Sequence, residues 1–245
     1  AAYALLAKVN LYQKNWQKVI DNCNQVTGYS LVSDYSLQYK KEGEFGPESI
    51  FEINGIGGTS SPGFGIGNYT VSQAPRGAGG WGWGFNTPTQ GLANAYEPGD
   101  VRKNATIIFR GSVLYDGRVV ASTVTNPMYN YKAYSSDFYN VEFTDTNLRY
   151  LRYAEVLLMQ AEAEARNFGG VSLRAIDLLN MVRNRSIPLP AVNQYVAGNF
   201  VTQVDLVRAI LLERRIEFLA EGHRWGDIHR LATDPVFSTG GIPAK

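Results

Sequence analysis

This chain is poor in the residues that most often announce chemistry. Its 245 residues hold one cysteine and two histidines. A lone Cys23 excludes an internal disulfide, and its apolar helical setting reads as a buried structural thiol. His223 and His229 stand six positions apart, which puts them on different faces of a helix and excludes a shared metal at helical spacing. With so little histidine and an inert cysteine, neither a Ser-His-Asp nor a Cys-His arrangement has a placed base and nucleophile. Excess charge is lacking too. The 23 Lys and Arg balance 22 Asp and Glu for a net charge of +1, so no overall field draws the chain to nucleic acid or anionic lipid. No apolar run approaches the ~20 residues needed to cross a bilayer, and no signal-peptide pattern opens the chain. Ala1 to Ala7 begins inside a helical pattern with no capping residue before it, which reads as a start within a longer protein.

Phosphate chemistry is excluded on similar grounds. Gly77-Ala78-Gly79-Gly80-Trp81-Gly82 fits the Gly-x-Gly-x-x-Gly spacing, but no strand precedes it and no amphipathic helix follows, so a phosphate would meet no helix N-terminus. A glycosidase needs two carboxylates about 5–10 Å apart in a cleft, and Glu97 with Asp100 is the one loop pair near aromatic residues. The expectation is a protein that is not an enzyme and carries no cofactor and no metal.

What is present is helical periodicity at both ends. From Ala2 to Val26 apolar residues fall at helical spacing in two blocks, Ala4, Leu5, Val9 and Tyr12 and then Val19, Ile20, Cys23 and Val26, parted by Lys14-Asn15-Trp16. The spacing resembles a tetratricopeptide hairpin, with small Ala7 at the helix approach and Trp16 at the turn. A second hairpin is predicted from Leu148 to about Arg185, with Leu151, Ala154, Leu158, Ala161 and Ala165 inward. Asn167-Phe168-Gly169-Gly170 breaks it, and Ser172 caps a helix carrying Ile176, Leu179 and Val182. A third helix opens on a Thr202/Asp205 capping box, buries Leu206, Ile210 and Ile216, and ends at Gly222 as its C′ residue, followed by a short helix from Trp225 to Leu231. Glu213, Arg214, Arg215, Glu217, Glu221, Arg224 and Asp227 lie among apolar Ile216, Phe218 and Leu219. Some of these charges must therefore form partly buried ion pairs of structural role, and Arg214 or Arg215 is the expected basic partner.

Between the hairpins the pattern changes. Glu48 to Ile53 reads as a short strand, and Asn54 to Gly99 holds 13 of the 25 glycines, which predicts loop rather than helix. Thr106 to Phe109 and Tyr129 to Lys132 predict pieces of a small irregular sheet. Interleaved with the glycines are Asn68, Tyr69, Arg76, Trp81, Trp83, Phe85 and Asn86. Flat indoles flanked by amide and guanidinium donors suit sugar rings, which present apolar C–H faces and hydroxyl edges. The competing reading is that Trp81 and Trp83 plug the loop onto its support; alternating glycines allow one indole to face in and the other out. The candidate ligand residues are Trp81, Trp83, Tyr69, Asn68, Arg76 and Asn86.

Arg152-Tyr153-Ala154-Glu155-Val156-Leu157-Leu158-Met159-Gln160-Ala161-Glu162-Ala163, Leu179-Asn180-Met181-Val182-Arg183-Asn184-Arg185 and Glu213 through Arg230, in this order, closely resemble the SusD/RagB family. Glu48-Ser49-Ile50-Phe51-Glu52 and Pro88 through Glu97 resemble its middle region. The resemblance implies a mainly α, tetratricopeptide-like scaffold with a long loop-rich region and minor β, organised as one SusD-like domain fragment: a hairpin over 1–27, loops over 28–147 and a helical scaffold over 148–245. It implies a nutrient-binding outer-membrane lipoprotein of Bacteroidetes that binds an oligosaccharide or polysaccharide and passes it to a TonB-dependent, SusC-like transporter. The family's lipidated cysteine lies outside this chain, and membrane attachment is expected only through it. Two alternatives stand beside glycan capture: a purely protein-interaction scaffold with both tryptophans buried, and capture of peptide.

Overall fold

The computed structural model describes residues 1–55, 67–136, 138–140, 143–144, 146–187 and 194–238, with 67–68, 138–140, 143–144 and 237–238 described by backbone alone. In chain order the elements are α1 (Ala2–Tyr12), α2 (Trp16–Asn24), β1 (Ser49–Ile53), α3 (Gly67–Gln73), α4 (Gln90–Ala93), α5 (Arg102–Thr106), β2 (Ile107–Phe109), β3 (Met128–Asn130), β4 (Phe138–Asn140), β5 (Phe143–Thr144), β6 (Leu148–Arg152), α6 (Tyr153–Phe168), α7 (Leu173–Ser186), α8 (Gln203–Glu217), α9 (His223–Arg230) and α10 (Pro235–Ser238). They fall into two compact units, residues 1–33 with 151–245, and residues 34–150.

The first unit is helical. α1 packs on α2, and α6 packs on α2, α7 and α8. Its core joins Leu158, Ala161 and Ala165 of α6 to Ile176, Leu179 and Val182 of α7 and Leu206 and Ile210 of α8, as the helical periodicity predicts. The caps also form. The Ser172 hydroxyl accepts the Ala175 N–H at 3.2 Å, and Thr202 and Asp205 cap one another's backbone amides at 3.2 and 2.9 Å; each such cap is worth about 1 kcal/mol. Gly169 ends α6 in the left-handed conformation at φ 76°.

Three boundaries and one face differ from the sequence reading. In α1 the inward side is Ala4, Ala7 and Leu11, while Leu5, Val9 and Tyr12 are exposed. Apolar residues ring this helix, and close approach of neighbouring helices selects the stripe with the smallest side chains. Leu148 to Arg152 is strand rather than helix: Leu148 and Leu151 match helical spacing, but the segment pairs with β1 and Arg152 is still extended at φ −123°. α8 stops at Glu217, not Gly222. Arg152 donates to the Glu217 carbonyl at 3.3 Å and grips the Glu221 carboxylate at 2.9 Å through both Nε and Nη2, and Ala220 and Gly222 turn the chain through left-handed φ of 60° and 84°. Gly222 thus precedes α9, which starts at His223, two residues before the expected Trp225.

The charged helix faces are buried and paired. Glu162 is fully buried between Arg230 at 2.6 Å and Arg166 at 2.9 Å, and Asp227 receives Arg214 at 3.0 Å and Arg230 at 2.8 Å. Glu217 receives Arg152 at 3.0 Å and Arg185 at 2.6 Å. Arg214 is therefore the buried partner that the pattern called for. Burial alone would raise the Glu155 carboxyl; His223, Lys8 and Arg214 instead pull it down to about 2. Cys23 is buried, and burial with nearby Glu155 and Glu164 pushes its thiol up to about 12, an inert group at neutral pH.

The second unit is built from short pieces. β2 and β3 pair antiparallel with Ile108 opposite Tyr129, and β4 pairs with β5. Ile108, Leu114, Val120, Val124, Tyr129 and Tyr134 form its core. The stretch expected to be all loop holds α3 and α4. α4 is started by Thr89, whose hydroxyl accepts the Leu92 N–H at 3.2 Å; α3 owes its existence to the loop that follows it.

Candidate ligand-binding site

A helix of seven residues is not stable by propensity, and the last carbonyls of α3 need donors. Residues 81–85 supply them. The N–H groups of Trp81 and Gly82 donate to Pro75 O at 2.8 and 2.9 Å, Trp83 to Val71 O at 3.0 Å, Gly84 to Ala74 O at 3.0 Å and Phe85 to Ser72 O at 2.8 Å. The backbone of the aromatic loop is thus sewn to the end of α3. Only glycine fits at 82, because a Cβ there would strike the Val71 carbonyl oxygen and Ala74.

This backbone sends the two indoles to different places. Trp81 is half-buried, edge-on to Tyr134 at 6.1 Å, covered on a face by Arg118 at 4.8 Å, and packed against the unit's core. Trp83 is 51% exposed and Phe85 58%, their rings edge-to-face at 6.3 Å. Arg76 is exposed, and its Cβ lies against Gly84, between those two rings in sequence. Asn86 is exposed in a left-handed conformation at φ 50°, with its amide donating to Gln73 Oε1 at 2.7 Å. That same oxygen accepts the buried Asn130 amide at 2.8 Å, which ties the loop to β3. Tyr69 is half-buried in α3, where its carbonyl accepts the Gln73 amide at 2.8 Å. The side chain of Asn68 lies outside the described residues. Trp83, Arg76 and Asn86 are therefore gathered with Phe85 on one loop, and Trp81 stands beneath as a support.

A second aromatic group escaped the sequence reading. Tyr39, Lys40, Val101, Tyr115, Tyr131 and Tyr134 line a cavity of about 380 Å³, within the range of small-molecule pockets. Tyr115 stacks on Tyr131 at 6.0 Å and meets Tyr134 edge-on at 5.6 Å, and Lys40 Nζ sits 4.9 Å from the Tyr115 ring. The turn Leu114-Tyr115-Asp116-Gly117-Arg118 places them: Leu114 N–H bonds Arg118 O at 2.8 Å, Gly117 takes φ 86°, and Asp116 accepts the Tyr134 hydroxyl at 2.5 Å. Asp-Gly between Val113 and Val119 was the available hairpin signal. Burial raises the Tyr115, Tyr131 and Tyr134 hydroxyls above their ordinary range, Tyr134 also through its bond to Asp116. They stay neutral donors and acceptors at physiological pH.

The one carboxylate pair singled out from sequence is not arranged as an acid and base. Both Asp100 oxygens are taken by the buried Arg102 guanidinium, at 3.0 and 2.8 Å, and Glu97 is half-buried with partners of its own. Among the described residues no three His, Cys, Asp or Glu side chains are placed to hold a metal, and no helix is long and apolar enough to cross a membrane.

The described residues thus form a helical unit and a smaller unit whose loops present aromatic side chains. The SusD family profile matches residues 47–238, and the chain belongs to that family. Its mainly α-helical, tetratricopeptide-like fold is that of SusD-like proteins. A SusD-like protein of Formosa agariphila is 27% identical over 98% of this chain and 52% of its own length. The structure of surface glycan-binding protein A from Bacteroides uniformis superposes with a TM-score of 0.71 at 27% identity, over 96% of this chain and 50% of that one. A laminarin-binding SusD-like protein gives a TM-score of 0.70 at 28% identity, over 99% and 57%. The chain therefore spans about half the length of these relatives.

Proposed function

We propose that this chain carries glycan-binding surface of an outer-membrane nutrient-capture protein, with Trp83 and Phe85 as the stacking platform and Arg76 and Asn86 contacting hydroxyls. The observation that carries this reading is an exposed indole on a backbone fixed by five hydrogen bonds to the carbonyls of residues 71–75, at the end of α3 and just past it. An aromatic held ready in solvent binds without first ordering its loop, which removes one cost of association. The names of the relatives support a glycan ligand and make laminarin the first probe. Tyr69 and Asn68 are further candidate contacts for the same ligand, while Trp81 holds the loop's shape. Capture serves transfer to a TonB-dependent transporter, with attachment through a lipidated cysteine outside this chain and no hydrolysis. A few stacking contacts and exposed hydrogen bonds, set against association entropy, give a dissociation constant of about 10 μM to 1 mM, weak enough for release.

The test is calorimetry of the whole protein against a polysaccharide panel beginning with laminarin. Trp83→Ala should weaken binding to the glycan that the wild type selects. Equal binding by wild type and Trp83→Ala would move the site elsewhere, and reducing-end release abolished by Glu97→Gln would overturn the non-enzymatic reading.

A further inference from the structure

The arginines of the helical unit that are not exposed follow a rule with two exceptions, Arg208 keeping to it through Asp205. Arg152, Arg166, Arg183, Arg185, Arg214 and Arg230 each face a carboxylate within 4.0 Å. Arg215 and Arg224 are half-buried, and among the described residues neither guanidinium has a hydrogen bond or an ion pair. Both open into a cavity of about 260 Å³ with Arg208, Tyr195, Leu211 and Leu212.

The cavity is built rather than incidental. Tyr195 is clamped through its backbone by Asn180, which accepts its N–H at 3.0 Å and donates to its carbonyl at 2.9 Å, and Arg183 stacks over its ring at 4.5 Å. Arg208 is steadied by Asp205 at 3.4 Å and the Val236 carbonyl at 3.4 Å. Asp227 attracts Arg224 but is already held by Arg214 and Arg230. Burial and the Arg215 charge push Arg224 below its ordinary range. Two like charges brought together over an apolar floor, in a molecule that otherwise pairs every buried guanidinium described, leave an anion-shaped deficit.

We infer that this cavity binds an oxyanion, a carboxylate or sulfate, carried on a body the size of one sugar ring. Arg215 and Arg224 hold the anionic group through charge-assisted forks, Arg208 lies at the rim, and Tyr195 with the two leucines seats the apolar face of the ring. The volume is large beside the ~30 Å³ share of one water and small beside the ~300–1,000 Å³ of pockets for drug-sized ligands, which suits a single residue of an acidic glycan or a free sugar acid.

The test compares glucuronate, glucose and inorganic sulfate at fixed ionic strength, by calorimetry and thermal shift on the whole protein. Glucuronate and sulfate should bind and raise the melting temperature, and glucose should not. Tighter binding of glucuronate than of sulfate assigns the site to an acidic sugar, and equal binding assigns it to the oxyanion alone. Arg215→Gln and Arg224→Gln should each weaken glucuronate about tenfold to a hundredfold, the worth of a hydrogen bond to a charged group, with unchanged melting in the absence of ligand. Arg224→Lys, which keeps the charge but loses the fork, controls for folding and should retain part of the affinity. Glucuronate affinity unaltered by these substitutions, a response matched by chloride, or an acidic side chain of the protein found seated in the cavity would each overturn the inference. Trp83→Ala should leave the glucuronate response intact, so failure here and failure of the proposed glycan platform are read separately.

Discussion

In the helical unit the large polar side chains point inward and find partners: Glu162, Glu217 and Asp227 are almost wholly buried, each between two arginines. In the loop unit the conspicuous apolar side chains do the opposite, with Trp83 and Phe85 displayed to solvent on a backbone that has no freedom to withdraw them. Charge, which in most proteins marks the surface, is here drawn into the helical interior, while in the loop unit these two rings stay at the surface although Tyr129 and Tyr134 fill the core. Each inversion costs free energy locally, and the two serve different ends. Buried pairs fix helix geometry, since a wrongly docked helix would strand a charge. Exposed rings contribute nothing evident to folding and are available for a ligand.

The comparison breaks most visibly if a buried carboxylate is removed. Glu162→Ala leaves Arg230 and Arg166 facing a void and should destabilise by about 3–5 kcal/mol, measured by chemical denaturation. Arg215→Ala, in the same helical unit but without a carboxylate partner among the described residues, should stay within about 0.5 kcal/mol. Equal effects would mean that the pairing carries no weight.

Acid tests the same lattice without mutation. Glu155 falls from 4.5 to about 2 on folding, and Glu162 and Asp227 are lowered too. A depressed carboxyl stabilises the fold above its unfolded pKa and loses that contribution as pH drops through the folded one. Stability should therefore decline between about pH 4.5 and pH 2, with Glu155 alone accounting for about 3 kcal/mol at most. A Glu155→Gln variant should flatten that decline; an unchanged acid profile would contradict the assignment.

Much of this division was legible in the sequence, and the failures have physical causes. The α6, α7 and α8 faces were readable because each has one apolar stripe and a cap, as Ser172 and Thr202 illustrate. The α1 face was misread because Leu5 and Val9 compete with Ala4 and Ala7, and only packing decides between them. β6 was misread because its pairing with β1 is nonlocal. That one indole would face out could be anticipated from the glycines, but which one could not, since that depends on the contact of Trp81 with Tyr134, 53 positions away. The tyrosine cavity was invisible for the same reason: Tyr39, Tyr115 and Tyr131 meet only in the folded chain.

The smaller effects sharpen the comparison inside the loop unit. Trp81→Ala should cost about 2–3 kcal/mol of stability, less than the ~3–5 kcal/mol of a fully buried aromatic, and it should blunt binding only by loosening the loop. Trp83→Ala should cost about 1–3 kcal/mol of glycan binding with the melting temperature unchanged.

The most direct measurement sets these two variants side by side: calorimetric titration of the whole protein with the glycan it selects, alongside its melting curve. The account predicts that Trp83→Ala melts like the wild type and binds at least several-fold more weakly, on the order of fivefold or more, while Trp81→Ala melts earlier. A Trp83→Ala protein that binds the glycan as tightly as the wild type would contradict it.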